Sequence, residues 1–537
     1  MGNNPASGPP GVMVPLANRP RRDNGWTLAW VIVYLGTVAA GVATFLNRNV
    51  NFASQISPDY LNDPAHCPSG AASGRRSLLG MRAMDDDGDP LSLDEFMSVA
   101  LYWLVGSVVG ALLVGMLFVA LVSRNPKLLV GVAISLQIAL PLAAGTGALF
   151  AGSLGGGIPL LLLAGAVALL FWMWREQLSL VCELLGVSGT GLRENLGLVG
   201  ATIAVHAGLM VLCAPLLMAT LSAVTNGHVA PNPSAAASPG PGQCTDAEGN
   251  EVMCCEWSVD GHVAPVMTLA MATLLWTSFI ASQVRTFTVA ATIAQWYFAP
   301  VVDPMKGPGA RSGSRVGSAL GAALGPAFGS LCFGALILTA VSMLRSALEE
   351  LKKKASDNIF FYCLFVLVQY LFTIVEMVTK FATVRCAITG EAFWAATRGV
   401  ATLLERAFLD SFGVWWFPPM ILQMCGLVLS ALWSAVVYFA AAASWSGLSN
   451  GRGYAGIVAA VSFVLSWLVL SFFAALLLDI VDTVFVCFAM DRDAAAVSRA
   501  DVHAVYNRLP SVKPIVIEQP GGGYAIGQAP QQQYASV

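Results

Sequence analysis

Long, unbroken apolar runs alternate along the chain with shorter polar stretches. Residues 26–46, 97–122, 128–151, 158–174, 196–224, 265–298, 329–344, 359–378, 420–443 and 454–490 form the apolar runs. A run of about 20 apolar residues crosses a bilayer as a helix. The runs are continuous and do not alternate apolar with polar positions, which predicts helices and excludes a barrel. The expected fold is an all-α polytopic membrane protein of about ten transmembrane helices, with a transporter-like domain over residues 25–490.

The polar stretches divide into tails, loops and amphipathic segments. Residues 1–24 are rich in Pro, Gly and Asn, carry Arg19, Arg21 and Arg22, and read as a disordered tail. Residues 47–95 form a polar loop holding Cys67 and the acidic run Asp85, Asp86, Asp87 and Asp89, read as a solvated tip. Residues 225–262 form a second loop with Cys244, Cys254 and Cys255. Cys67 and these three are the disulfide candidates. Four cysteines allow three pairings, and adjacent Cys254 and Cys255 are poor partners for each other. Residues 175–195 and 380–416 are amphipathic and are expected at the cytosolic membrane surface. Gly317, Gly321, Gly325 and Gly329 recur every fourth residue, a stripe that lets another helix approach closely, with Pro326 as a breaker. Residues 491–537 turn polar and Gly/Gln-rich, read as a largely disordered tail.

Sidedness follows from the cations. With both termini cytosolic, Lys and Arg fall mainly on inner segments, as the positive-inside rule requires. Lys352, Lys353 and Lys354 are a local exception, partly offset by Glu349 and Glu350. The loops 47–95 and 225–262 are then outside.

The run 265–298 stands apart. It is longer than one bilayer crossing needs, so it must tilt, break or extend past the membrane edge. It contains one cation, Arg285, and ends in Trp296, Tyr297 and Phe298. A charge in an apolar span faces protein or a water-filled path. The alternative is that Arg285 snorkels where the helix leaves the core, with the aromatics as an interfacial belt.

Composition sharpens the class without naming an activity. The chain of 537 residues is 56% hydrophobic and 11% charged, with a mean hydropathy of +0.69. Soluble domains average about 25% charged. No basic stripe points to nucleic acid. No nucleophile–base spacing points to an enzyme, and no metal-ligating or cofactor motif is present.

Four stretches in the C-terminal half carry a family likeness: LLWT at 274–277 with TVAATIAQWYF at 288–298; FGSLCFGALI at 328–337, followed by LRSALE; KFATVRCAITGEAF at 380–393; and VDTVFVCFAMD at 481–491. REQLSLVCELL before the fifth span fits as well. The chain resembles the choline transporter-like proteins, most closely their fungal and plant branch. It departs at Ala291, where the family usually has Gly, near Phe381, where Tyr is frequent, and at Arg285, where that branch is more often uncharged. The resemblance implies ten spans, cytosolic termini and a plasma-membrane location. It also implies sodium-independent movement of choline, with ethanolamine as a second amine, in exchange for protons.

Choline is a quaternary ammonium whose nitrogen donates no hydrogen bond. Aromatic faces hold such a cation at about 0.5–2 kcal/mol each, and a carboxylate adds long-range attraction. The aromatic candidates are Trp276, Trp296, Tyr297 and Tyr370; the carboxylates are Glu376 and Asp482. Each has a structural alternative: the indoles and phenols as packing or belt, Glu376 as a partner of Lys380, Asp482 as a partner of Arg285. His206 and Asp479 join Glu376 and Asp482 as proton-coupling candidates. A membrane scaffold or sensor that binds choline lipids without moving them is the alternative function.

Overall fold

The computed structural model describes residues 13–16, 19–62, 66, 93–173, 175–234, 236–237, 244–245, 251–298, 312–354, 359–446, 451–494, 496–506, 516–518 and 524–526. The acidic run at 85–89 and Cys67 lie outside the described residues.

Helices dominate, in the order α1 (Asn24–Leu46), α2 (Phe52–Gln55), α3 (Pro58–Leu61), α4 (Leu93–Arg124), α5 (Pro126–Phe150), α6 (Leu154–Met173), α7 (Arg175–Glu194), α8 (Gly197–Val224), α9 (Val263–Tyr297), α10 (Ser312–Leu324), α11 (Phe328–Lys354), α12 (Ile359–Thr389), α13 (Phe393–Ser444), α14 (Gly451–Asp493) and α15 (Ala500–Tyr506). Among the described residues ten helices are long and apolar enough to span a membrane, and they coincide with the ten expected runs. Between α8 and α9 the loop folds on itself. Strand β1 (Gly227–Pro231) precedes three short strands, β2 (Ala236–Ala237), β3 (Cys244–Thr245) and β4 (Glu251–Val252), and β5 (Cys255–Val259) closes the loop. β1 pairs antiparallel with β5, Gly227 facing Val259, and β2, β3 and β4 form a second small sheet. Cys254 bonds to Cys244, and Cys255 is disulfide-bonded too.

The centre of the bundle is the second half of α9. From Gln283 to Tyr297 nearly every side chain is buried. This half carries Gln283, Arg285, Thr286, Thr288 and Thr292, polar groups that face protein and not lipid, and α9 touches α8, α10, α11, α12 and α14. The long run at 265–298 is thus one continuous helix at the core.

Several expectations change. Residues 380–389 belong to α12 and 393–416 to α13. α12 continues apolar through Thr389 and stops at Gly390, whose φ of +71° is left-handed, a common helix terminator. α13 then starts at Phe393. α7 covers its apolar face, Val181, Cys182, Leu184, Leu185 and Leu192, against protein, packing on α4 and α14. The glycine stripe is not a helix seam. A Cβ on Gly317 or Gly321 would meet nothing, whereas on Gly329 it would strike the backbone oxygen of Asp23 at 2.4 Å.

That contact belongs to the N-terminal segment, whose described residues 13–16 and 19–23 lie against the bundle. Arg19 is buried and donates to the carbonyls of Cys386, Ala387, Ile388 and Val14 at 2.7–3.2 Å. The first three belong to the last turn of α12, where Cys386 also accepts from the Gly390 N–H, whereas the Ala387 and Ile388 carbonyls have no partner within the helix. Burial pulls the guanidinium down to about 10, so it remains positive at neutral pH. Asp23 Oδ2 accepts from Ser330 Oγ at 2.6 Å and from the Phe393 backbone N–H at 3.1 Å, capping the start of α13. After α14 the described residues include one further helix and two short strands. α15 returns to the bundle, Tyr506 stacks on Phe488 with centroids 4.4 Å apart, and residues 516–518 and 524–526 pair as β6 and β7.

Because Arg19 closes α12 with charge-assisted bonds, Arg19→Ala is expected to cost about 2 kcal/mol. The purified protein should melt earlier and be cut sooner by protease ahead of α1. An unchanged melting temperature and digestion pattern would contradict the clamp.

Candidate functional site

Charges inside a bundle need partners, and here they find one another. On α14, Asp479 and Asp482 sit three residues apart and therefore share a helix face. Asp479 is 1% exposed and lies 3.2 Å from Arg285 Nε on α9 and 3.0 Å from Lys380 Nζ on α12. Lys380 Nζ also reaches Asp482 Oδ2 at 2.5 Å. The result is an alternating chain, Arg285–Asp479–Lys380–Asp482, across three helices. Gln283 on α9 accepts from Thr383 on α12 beside it. These three helices run in the same direction, and the charged residues lie roughly 14–21 Å from their C-terminal ends at 1.5 Å per residue. The chain is therefore a level belt across the bundle. Its contacts are ionic without being well aligned: both Asp479 carboxylate oxygens and Arg285 Nε lack a hydrogen-bond partner of good geometry.

The belt borders a cavity of about 270 Å³, near the lower end for small-ligand sites, about 300 Å³. Thr373, Glu376, Met377 and Lys380 of α12 line one side and Leu478, Val481 and Asp482 of α14 another. Pro418 and Pro419 of α13 close it. Two prolines inside a helix remove two N–H donors and bend the wall there. Glu376 pairs with Arg345 of α11 at 2.9 Å, both about a third exposed. The three cations and three carboxylates of this region sum to zero.

The candidate residues separate clearly in space. Glu376 and Asp482 line the cavity together; Asp479 lies directly behind them in the ionic chain. The expected partners change. Arg285 pairs with Asp479 and not Asp482, because Lys380 lies between the two carboxylates; Glu376 pairs with Arg345 and not Lys380. None of the four aromatic candidates lines the cavity. Trp276 donates its indole N–H to the Cys332 carbonyl at 3.0 Å, joining α9 to α11. Trp296 donates to Glu194 Oε2 at 2.5 Å, and Arg499 lies over its ring, 3.8 Å from the centroid. Tyr297 donates to Asp491 Oδ2 at 3.0 Å. Asp491 also accepts from Ser498 and lies 3.1 Å from His503 Nε2, which ties the C-terminal segment to α9 and α14. Tyr370 is exposed on the outside of the bundle. His206 is exposed too; its Nδ1 lies 2.8 Å from the Thr202 carbonyl and its ring meets Phe472 edge-on.

Lys380 is the site residue missed from sequence. The signal was its setting, MVTKFATV, which stays apolar and helical on both sides with no breaker before Gly390.

The sequence model described as plasma-membrane choline transporter matches residues 158–493, which include every residue of the belt and the cavity. The chain is 26% identical over 228 residues to Choline transporter-like 2 of Drosophila melanogaster, covering 40% of this chain and 27% of that protein. It is 22% identical over 225 residues to a CTL-like protein of Dictyostelium discoideum, covering 41% of this chain and 39% of that one. The matches thus span well under half the length of these relatives.

Removing one member of a buried ion pair strands its partner, at about 3–5 kcal/mol, whereas an exposed pair contributes about 1 kcal/mol or less. Asp479→Asn should therefore lower the melting temperature of the solubilised protein far more than Glu376→Gln. Equal losses for the two variants would contradict the assignment of Asp479 as the hub.

Proposed function

Since the chain belongs to the plasma-membrane choline transporter family, we propose that it carries choline across the plasma membrane through the cavity between α12, α13 and α14. The observation that supports this most is that Glu376 and Asp482 both line one small cavity between helices long and apolar enough to span a membrane. A carboxylate at the wall offers the ammonium the counter-charge that apolar surroundings otherwise deny it. Met377, Leu478, Val481 and the two prolines offer the methyl groups apolar contact. The Thr373 hydroxyl donates to the Gln369 carbonyl and keeps a lone pair for the alcohol of choline. In this reading Trp276, Trp296 and Tyr297 hold the frame of the bundle and are not the walls of the site.

Ethanolamine fits the same wall, since its ammonium can also donate hydrogen bonds to Asp482 and Glu376. Sodium independence and proton exchange are the coupling that goes with this proposal, and the titratable groups facing the cavity are Glu376, Lys380 and Asp482.

Asp482→Asn removes a charge-assisted contact of about 1.5–3 kcal/mol, so saturable choline uptake should fall about tenfold or more at unchanged surface level. Proteoliposomes carrying the native chain should move choline, and uptake should follow an imposed pH gradient. Choline binding without flux would instead support a scaffold or sensor.

A further inference from the structure

Each carboxylate at the cavity already has a cationic partner, so a permanent cation entering the cavity must compete for one. Glu376 is taken by Arg345, Asp479 by Arg285 and Lys380, and Asp482 by Lys380. An added unpaired charge among buried groups is costly. Something must move for the substrate to bind.

The two aspartates are not held alike. Asp479 is 1% exposed, has two cationic partners and does not line the cavity. Asp482 faces the cavity, its side chain is 13% exposed, and Lys380 is the cation that holds it. Lys380 itself has two carboxylates, so releasing Asp482 leaves its ammonium paired with Asp479. Its four-carbon stem has the freedom for that shift. Lys380 Nζ already lies 3.0 Å from Asp479, and the poor alignment of that contact leaves room for a better directed pair.

Resting on the reading above, we infer that the Lys380 ammonium is the resident occupant of the cation subsite on Asp482, and that substrate binds by displacing it onto Asp479. Lys380 is then a specificity-determining residue. It admits organic cations able to compete for one carboxylate and shuts the subsite when no substrate is present. An empty carrier returns with its charges self-paired.

The proposal is tested by choline binding to the purified full chain in lipid nanodiscs. Lys380→Ala frees Asp482 and should tighten choline binding about tenfold or more, a direction that a purely structural lysine would not give. The gain should vanish in Lys380→Ala with Asp482→Asn, and ethylammonium should compete with choline better in Lys380→Ala than in the native chain. Folded Lys380→Ala with unchanged or weaker binding overturns the inference. If that variant does not fold, Lys380→Arg replaces it. The planar fork grips a carboxylate harder, so binding should weaken, and unchanged binding overturns the inference. Native protein that binds choline equally well as Asp482→Asn removes the inference and leaves a choline protein with its site elsewhere. Native protein that neither binds nor moves choline removes the functional reading itself.

Discussion

Everything in the bundle is arranged around the neutralisation of charge in an apolar core. Arg285, Asp479, Lys380 and Asp482 come from three helices joined besides by apolar packing and by the Gln283–Thr383 and Tyr297–Asp491 hydrogen bonds. Apolar packing sets spacing well and register poorly, because one turn of slide repacks similar side chains. An ionic chain does not tolerate such a slide: a shift of one turn, about 5.4 Å, breaks the pairs. The belt therefore fixes how far α9, α12 and α14 stand along one another, and the cavity takes its position from it.

The polar segments at either end of the chain complete the same frame. Arg19 and Asp23 hold the turn where α12 gives way to α13, and Gly329 lets the backbone of Arg22 and Asp23 lie against α11. Asp491, bound by Tyr297, Ser498 and His503, ties the ends of α9 and α14 together, with Arg499 on Trp296 alongside. Both clamps act where the belt helices finish. The helix ends are thus anchored, while the prolines of α13 and the loosely aligned pairs leave compliance at the cavity.

The membrane architecture was legible in the sequence because lipid allows no partial solution. Each crossing must be a continuous apolar run, and each is visible as one. The centrality of α9 was also legible, from its length and its single buried cation. Pairings were not. Asp479 and Asp482 share a face and both can be reached from Arg285, so only the position of Lys380 decides between them. Lys380 was hidden because a charge followed by an amphipathic stretch reads as a helix end. The place of Arg19 was hidden because its guanidinium bonds to a turn more than 360 residues away. The buried aromatics were recognisable as important, but their polar atoms face a carbonyl and two carboxylates, which no local pattern reveals.

The most direct measurement is a structure of the full chain in lipid at saturating choline. The account places the trimethylammonium group in the cavity between α12, α13 and α14, against the Asp482 carboxylate, with Lys380 turned to Asp479. A headgroup enclosed by Trp276, Trp296 or Tyr297, or one found away from this cavity with Lys380 still bridging both aspartates, would contradict it.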